Sequence, residues 1–348
     1  MPRTRIVVAG AGLIGRAHVA ALQCSTTCVL AAIADPVPET SALAANCLVP
    51  HRSTLAEALE LDRPDGVVLA TPNTLHVPQA LQCLSADVAV LIEKPVAPDL
   101  ASATTLARAA GPNARVLVGH HRAHSGIMAT ARKVVESGRL GRLVAVTGSA
   151  LYMKPDEYFA AGPWRSEPGG GPILINLIHE IHNLRMLMGE VVAVQAMASH
   201  AVRSFAVEDT AAITLSFASG ALGSLVLSDT AAAPLSWELT SGENPAYPHQ
   251  NDFDCYVVAG TRGALAIPTM RMTTYRSEED RSWWTPFERC VVSAEAIDPI
   301  ARQMEHFGAV ARGEAAPLVS LGDGIANLRV TEAISAAVRS GATVRLDS

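Results

Sequence analysis

Gly10-Ala11-Gly12-Leu13-Ile14-Gly15 stands between an apolar run, Ile6 to Ala9, and an Ala-rich segment, Arg16 to Gln23. The run reads as a buried strand and the segment as a helix, so the glycines mark a tight strand-to-helix turn. Such a turn presents backbone N–H groups and a helix N-terminus to a pyrophosphate. Gly10 permits the turn, Gly12 lets the backbone approach the phosphates, and Gly15 lets helix and strand pack closely. Leu13 and Ile14 lie inside the same cradle. A second apolar run, Cys28 to Ala34, ends in Asp35, twenty residues beyond Gly15. A carboxylate there meets the adenosine ribose hydroxyls and repels a 2′-phosphate. Pro36 and Val37 follow it, not the Arg or Ser usual in NADP sites. NAD is the expected cofactor, with NADP the alternative.

The 348 residues leave room for two domains with substantial cores. Nearly half of them are hydrophobic and 17% are charged, which excludes a disordered chain. The net charge of −6 and the lack of a dense Lys/Arg run argue against nucleic-acid binding. No uninterrupted apolar stretch is long enough to span a membrane. The chain enters its first strand at once, with no separate apolar leader, so a cytoplasmic location is expected. Its six cysteines are scattered, and the Cys24–Cys28 spacing matches no common zinc knuckle. They read as reduced, mostly buried thiols.

Apolar runs and helical segments alternate through the first third. Strands are expected at Arg5–Ala9, Val29–Ala34, Gly66–Ala70, Val88–Glu93 and Arg115–Gly119. Helices are expected at Ala17–Cys24, Glu39–Asn46, Leu55–Leu61, Val77–Leu84 and Leu100–Ala109. This is the pattern of an α/β Rossmann domain, a doubly wound parallel sheet, over residues 1–121. The pattern then changes. A helix at Ile127–Ser137, a long strand at Leu143–Tyr152 and a helix at Ile173–Met188 precede strands at Val191–His200, Thr210–Ala218, Ala221–Asp229, Ser236–Thr240, Cys255–Ala259 and Ala264–Ile267. Helices at Ile300–Ala311 and Asp323–Arg339 close the chain. Residues 122–348 are therefore expected to form an α+β domain with an open, mainly antiparallel sheet.

Ala70-Thr71-Pro72-Asn73-Thr74-Leu75-His76 and Glu93-Lys94-Pro95 follow two of the parallel strands. Ligands of open α/β sheets bind outside the carboxyl ends of the strands, so both segments face the cofactor crevice. Thr71, Pro72, Asn73, His76, Glu93 and Lys94 are candidate cofactor residues on that ground. Proline after Lys94 holds the chain extended and aims the ammonium at a fixed point. Gly169-Gly170-Gly171 then opens a segment in which Asn176, His179 and His182 fall at i, i+3 and i+6. A helix places them in one polar stripe. A neutral imidazole facing a hydroxyl is a suitable general base near neutral pH.

These motifs, in this order, carry a resemblance. The chain resembles the glucose–fructose oxidoreductase/inositol dehydrogenase family (Gfo/Idh/MocA) over nearly its whole length. The resemblance implies reversible oxidation of a secondary alcohol on a cyclic polyol, sugar or sugar acid. It implies that Lys94 contacts the reacting hydroxyl and that His179 takes its proton. It also implies a homodimer or homotetramer built through the open C-terminal sheet. One departure stands out: the family often has Asp four residues before the histidine, where this chain has Ile175 with Asn176 beside it, and His182 replaces a second Asp.

Tyr152, Lys154, Trp164 and Arg165 make a candidate substrate rim with Asn176, and Arg165 suits a carboxylate. His120 and Arg122 follow the Arg115–Gly119 strand and are candidates for the nicotinamide end of the crevice. No metal is expected, because His120, His121 and His124 lack carboxylate or Cys partners at ligand spacing. Glu278-Glu279-Asp280-Arg281 reads as a solvated loop before Trp283-Trp284. The alternatives are a dihydrodiol carboxylate dehydrogenase, a non-catalytic dinucleotide-binding regulator, and a hydrolase in which bound NAD cycles without net redox change.

Overall fold

The apolar runs of the first third become strands and the segments between them become helices. The structure, a computed structural model, describes residues 2–112 and 114–346. In chain order the early elements are β1 (Thr4–Ala9), α1 (Leu13–Cys24), β2 (Cys28–Ala34), α2 (Thr40–Asn46), β3 (His51–Arg52), α3 (Leu55–Asp62), β4 (Gly66–Leu69), α4 (Asn73–Ser85), β5 (Ala89–Glu93), α5 (Leu100–Ala110) and β6 (Val116–Gly119). There follow α6 (Gly126–Glu136), β7 (Leu143–Met153), α7 (Asp156–Ala160), a π-helical turn (Ile173–Leu177), α8 (Ile178–Met188), β8 (Val191–Ser199), β9 (Thr210–Phe217), β10 (Leu222–Ser228), β11 (Thr230–Leu235) and α9 (Trp237–Thr240). The chain ends with β12 (Tyr256–Gly260), β13 (Gly263–Ile267), β14 (Arg271–Thr274), β15 (Glu288–Val291), α10 (Pro299–Ala311), α11 (Leu321–Ser340) and β16 (Val344–Arg345).

Two compact units result, Met1–His124 with Asp298–Leu328 and Ser125–Ile297 with Arg329–Ser348. The sequence reading placed everything after residue 121 in the second domain, and residues 298–328 depart from it. Helix α10 packs on α1 and against β2, β5 and β6 of the first unit. Its buried face carries Met304, Phe307, Gly308 and Val310. The approach is close: a Cβ on Gly308 would lie 2.4 Å from Cys28 Sγ, and one on Gly66 would lie 2.9 Å from the Phe307 ring.

In the first unit the six strands run parallel in the order β3-β2-β1-β4-β5-β6. The order reverses direction between β1 and β4, which is where a doubly wound sheet opens its crevice. Strands β4, β5 and β6 are buried along their whole length, so the runs read as continuous rather than alternating.

The second unit holds the mixed sheet, ordered β15-β14-β13-β12-β7-β10-β9-β8-β16, with β11 paired to β7. All of its pairs are antiparallel except β7 with β10. Every residue of α8 except Met186 is buried, so it is the unit's core helix, packed on α6 and β7. Two expectations for this unit change. Ser236–Thr240 is not a strand but the one-turn helix α9, preceded by β11. Trp237 and Thr240 are both buried, and a strand would send residues three apart to opposite faces. The expected helix at Ile173–Met188 begins as a π-turn before it becomes α-helical. Among the described residues no helix is long and apolar enough to cross a membrane.

Candidate active site

In the first unit the glycine turn has the form that a dinucleotide needs. Gly10 adopts φ +91, and a Cβ there would lie 2.5 Å from the Ala70 carbonyl oxygen. A Cβ on Gly15 would lie 1.9 Å from the Gly10 oxygen, so only glycine lets α1 sit this close to β1. Gly12 differs: nothing lies within 4 Å of the Cβ position. It caps α1 with no side-chain hydrogen bond and no acidic residue in the first turn, which leaves the helix N-terminus open to an anion. Leu13 beside it is exposed. The residues present therefore fit a pyrophosphate.

Asp35 is buried at the end of β2, and its position is fixed twice. Oδ2 accepts the Ala11 N–H at 2.7 Å and Oδ1 accepts the Val37 N–H at 2.8 Å. Each carboxylate oxygen keeps a second lone pair for a ribose hydroxyl. The neighbouring cation is already engaged: Arg52 on β3 forks onto Asp62 at 2.8 and 2.9 Å. That commitment suits NAD rather than a 2′-phosphate.

The other predicted cofactor residues continue along the same edge. Pro72 and Asn73 begin α4 just past β4, and the Thr71 hydroxyl donates to Gln79 at 2.6 Å. His76 is buried, with Nδ1 2.8 Å from the Pro95 oxygen and Nε2 2.9 Å from the Thr71 oxygen. Burial pushes its imidazole below the usual value, and the two carbonyls oppose that shift. The prediction gave His76 to the cofactor, but its ring tethers the Thr71 loop to the Glu-Lys-Pro loop. The chain does not run extended past Lys94 as expected; residues 94–99 bend, and the Lys94–Pro95 peptide is cis.

Behind Lys94 lies a buried polar group that sequence reasoning missed. Glu93 Oε1 meets His18 Nε2 of α1 at 2.7 Å, and Oε2 accepts the Lys94 N–H at 3.2 Å. The signal was present: one histidine among the Ala and Val of α1, three residues past Gly15. His121 stands among these charges. Burial, together with the charge of Arg122, drops it to about 4. His120 and Arg122, predicted near the ligand, are buried within the unit, and Asn327 Nδ2 donates to His120 Nε2 at 3.1 Å.

In the second unit Asn176 and His179 share the segment that opens with the glycines. Asn176 lies on the π-turn and His179 one residue into α8, where it is buried, as is His182. π-turns inside helices occur frequently at functional sites. The Ile173 N–H donates to Glu208 at 2.8 Å, and burial pushes that carboxyl up. Tyr256 of β12 donates its hydroxyl to Glu180 and accepts from Asn183 at 3.2 Å, which fixes the rotation of α8.

Lys154 Nζ donates to Asn176 Oδ1 at 2.7 Å and lies 3.7 Å from Asp229. The ammonium stands 4.7 Å from the centre of the Tyr158 ring and 5.7 Å from that of Tyr152. Arg165 stacks on Tyr158 at 4.0 Å and donates to its carbonyl oxygen, with Trp164 at 5.6 Å. Tyr152, Lys154, Trp164, Arg165 and Asn176 are thus drawn together around Tyr158, which sequence reasoning did not single out. Burial pushes both the Tyr158 phenol and the Asp229 carboxyl up, although Arg203 and Lys154 oppose the latter. Among the described residues no group of three or more His, Cys, Asp or Glu is arranged to hold a metal ion.

Residues 4–120 match the oxidoreductase family with an NAD-binding Rossmann fold, and residues 128–266 match the GFO/IDH/MocA C-terminal domain. The chain belongs to the Gfo/Idh/MocA family. It is an NAD-binding oxidoreductase of that family. Inositol 2-dehydrogenase of Rhizobium meliloti (strain 1021) is 26% identical, covering 98% of each chain. The rhizopine catabolism protein MocA of Rhizobium meliloti is 28% identical over 55% of this chain, and the match spans 59% of that relative's length. Among solved structures, the WlbA dehydrogenase of Bordetella pertussis, in complex with NADH and UDP-GlcNAcA, has a TM-score of 0.79 at 24% identity, with both chains fully covered. The aldose-aldose oxidoreductase of Caulobacter crescentus has a TM-score of 0.80 at 23% identity, covering 99% of this chain and 100% of its own. These two likenesses concern the fold.

Proposed function

We propose that this protein oxidises a secondary alcohol of a cyclic polyol, sugar or sugar acid to the ketone, reversibly and with NAD. The observation that carries the reading is the shared edge of the first unit. Lys94 leaves the carboxyl end of β5, on the same side of the parallel sheet as the Gly10–Gly15 cradle and Asp35. Ligands of open α/β sheets bind outside the carboxyl ends of the strands, which supports giving the ammonium a role toward the substrate.

NAD, when bound, accepts the hydride. Lys94 donates to the reacting oxygen and stabilises negative charge as the proton departs. His179 accepts that proton through a neutral imidazole nitrogen. Asn176, Tyr152 and Trp164, with Lys154 beside them, orient the hydroxylated ring. His120 and Arg122 support the nicotinamide end from within the first unit. The relatives named as inositol 2-dehydrogenases and as a 1,5-anhydro-D-fructose reductase support the substrate class.

One observation favours an acidic substrate within that class, including a dihydrodiol carboxylate. Arg165 makes no ion pair among the described residues, whereas Arg52, Arg185 and Arg203 all do. A half-buried guanidinium of this kind suits a carboxylate. The six free thiols accord with action in the cytoplasm. The protein works as a homodimer or homotetramer joined through the open face of the second unit's sheet.

The test is NADH formation across a panel of polyols, sugar acids and dihydrodiols. Lys94→Ala lowers turnover by about 10³-fold while NADH still binds. Unchanged turnover removes the proposed role. NADH binding with no turnover on any substrate favours the regulator, and product release without NADH accumulation favours the hydrolase.

A further inference from the structure

We propose that His18 is a positioning residue for Lys94 and acts through Glu93. The inference rests on the role given to Lys94 above and extends it to a residue no part of that reading includes. His18 is fully buried in α1, and its Nε2 lies 2.7 Å from Glu93 Oε1. The other oxygen of the same carboxylate accepts the Lys94 N–H at 3.2 Å. One imidazole therefore grips the group that holds the Lys94 backbone.

The carboxylate has little freedom. Glu93 stands opposite Gly119 in the β5–β6 register, and a Cβ on Gly119 would lie 2.9 Å from the Glu93 carboxyl. The side chain thus fills space that only glycine leaves. Burial works to raise the Glu93 carboxyl, but the His18 hydrogen bond, with the Lys94 charge beside it, outweighs burial, and the net shift is downward. Glu93 is an anion at neutral pH, and a buried anion needs a partner.

The geometry has a mechanical consequence. Helix α1 begins at Gly12, the open side of the dinucleotide cradle, and carries His18 less than two turns on. One rigid element thereby sets both the helix N-terminus that meets the pyrophosphate and the carboxylate that fixes Lys94. Without His18, Glu93 becomes an unpaired buried charge that must turn or take up a proton. Either change shifts Lys94, and a displacement of about 1 Å in a positioned group costs on the order of 10²-fold in rate.

The experiment is a double-mutant cycle on the full chain, with NADH as the binding probe and turnover counted per NADH-binding site. His18→Leu is expected to lower kcat by about 10²-fold with KM and NADH stoichiometry nearly unchanged. His18→Gln, which keeps a donor near the Nε2 position, is expected to recover most of that loss. In a Lys94→Ala background His18→Leu is expected to cost nothing further. Equal losses in both backgrounds, or a loss of NADH sites matching the loss of rate, overturn the proposal. Full activity in Lys94→Ala sinks the reading beneath it; an inactive Lys94→Ala with an unaffected His18→Leu sinks this inference alone. Should His18→Leu not fold, Glu93→Gln weakens the same His18–Glu93–Lys94 link at nearly constant shape and takes its place in the cycle, where the same pattern of losses supports or overturns the proposal.

Discussion

At the scale of single residues the first unit concentrates ionisable groups where the parallel sheet ends. His121 is the clearest case. Burial and the charge of Arg122 lower it to about 4, while Glu93 pulls the other way. Burial also lowers His76 and His306. The folded chain holds these rings below their ordinary value, whereas the unfolded chain takes up protons near pH 6.5. The stability they contribute is complete above about pH 6.5 and is lost as pH falls toward the folded values. We expect the urea midpoint to drop between pH 7 and pH 5, with His121 supplying on the order of 1 kcal/mol of the loss after allowance for its partial exposure. His121→Phe should flatten that dependence. Parallel slopes for the two proteins would show that His121 takes up its proton in the folded chain.

At the scale of elements the β1–α1 turn separates two uses of glycine. Gly15 serves packing and Gly12 serves a ligand. Gly15→Ala places a methyl 1.9 Å from a backbone oxygen, so helix and strand must part. The expected cost is about 1–3 kcal/mol, seen as a lower thermal midpoint and weaker NADH binding. Gly12→Ala meets nothing within 4 Å and should melt with the parent, while its NADH affinity falls about tenfold because the methyl stands where phosphate approaches. Undiminished binding by Gly12→Ala would remove the pyrophosphate from that turn. The same turn explains what was legible in the sequence. A largely buried strand closed by a Gly or Pro turn writes itself as an apolar run with a turn signal, so β1, β2, β4, β5 and β6 could be read directly. Two-residue strands such as β3 and β16 leave no period to detect. Strands β14 and β15 are short, and the edge strand β15 is exposed throughout. Helix α10 reads as a helix, but nothing in its own residues says which sheet it covers. Lys94 and His179 are proposed from linear motifs. His18 meets Glu93 seventy-five positions on, and no local pattern records such a contact; Tyr158 touches Lys154 and Arg165 nearby in the chain, but no motif marks it out.

At the scale of the whole molecule, charge is absent from one large surface. The chain carries a net charge of −6 with 17% charged residues, yet β7, β8, β9, β10, β12 and β13 contain no Asp, Glu, Lys, Arg or His. Register aligns their outward residues across the sheet: Gln195, Thr214, Ser224, Thr147, Val257 and Ala266 form one row. Met197, Ala212, Val226 and Ser149 form the next. A sheet face made for water alternates apolar-in with charged or strongly polar residues out. This face instead carries small, uncharged side chains, with Met197 largely exposed and Val226 substantially so. Depletion of charge is the compositional mark of an interface core, and a second copy of the same face meets it without charge repulsion. Val226→Lys places an ammonium in the middle of that surface, and a two-fold contact there buries both copies of it. We expect light scattering to report an oligomer for the parent and a smaller species for the variant, with NADH binding retained because the dinucleotide cradle belongs to the other unit. A variant whose mass equals that of the parent oligomer would place the contact elsewhere, and a parent that is monomeric at micromolar concentration would leave this face to solvent.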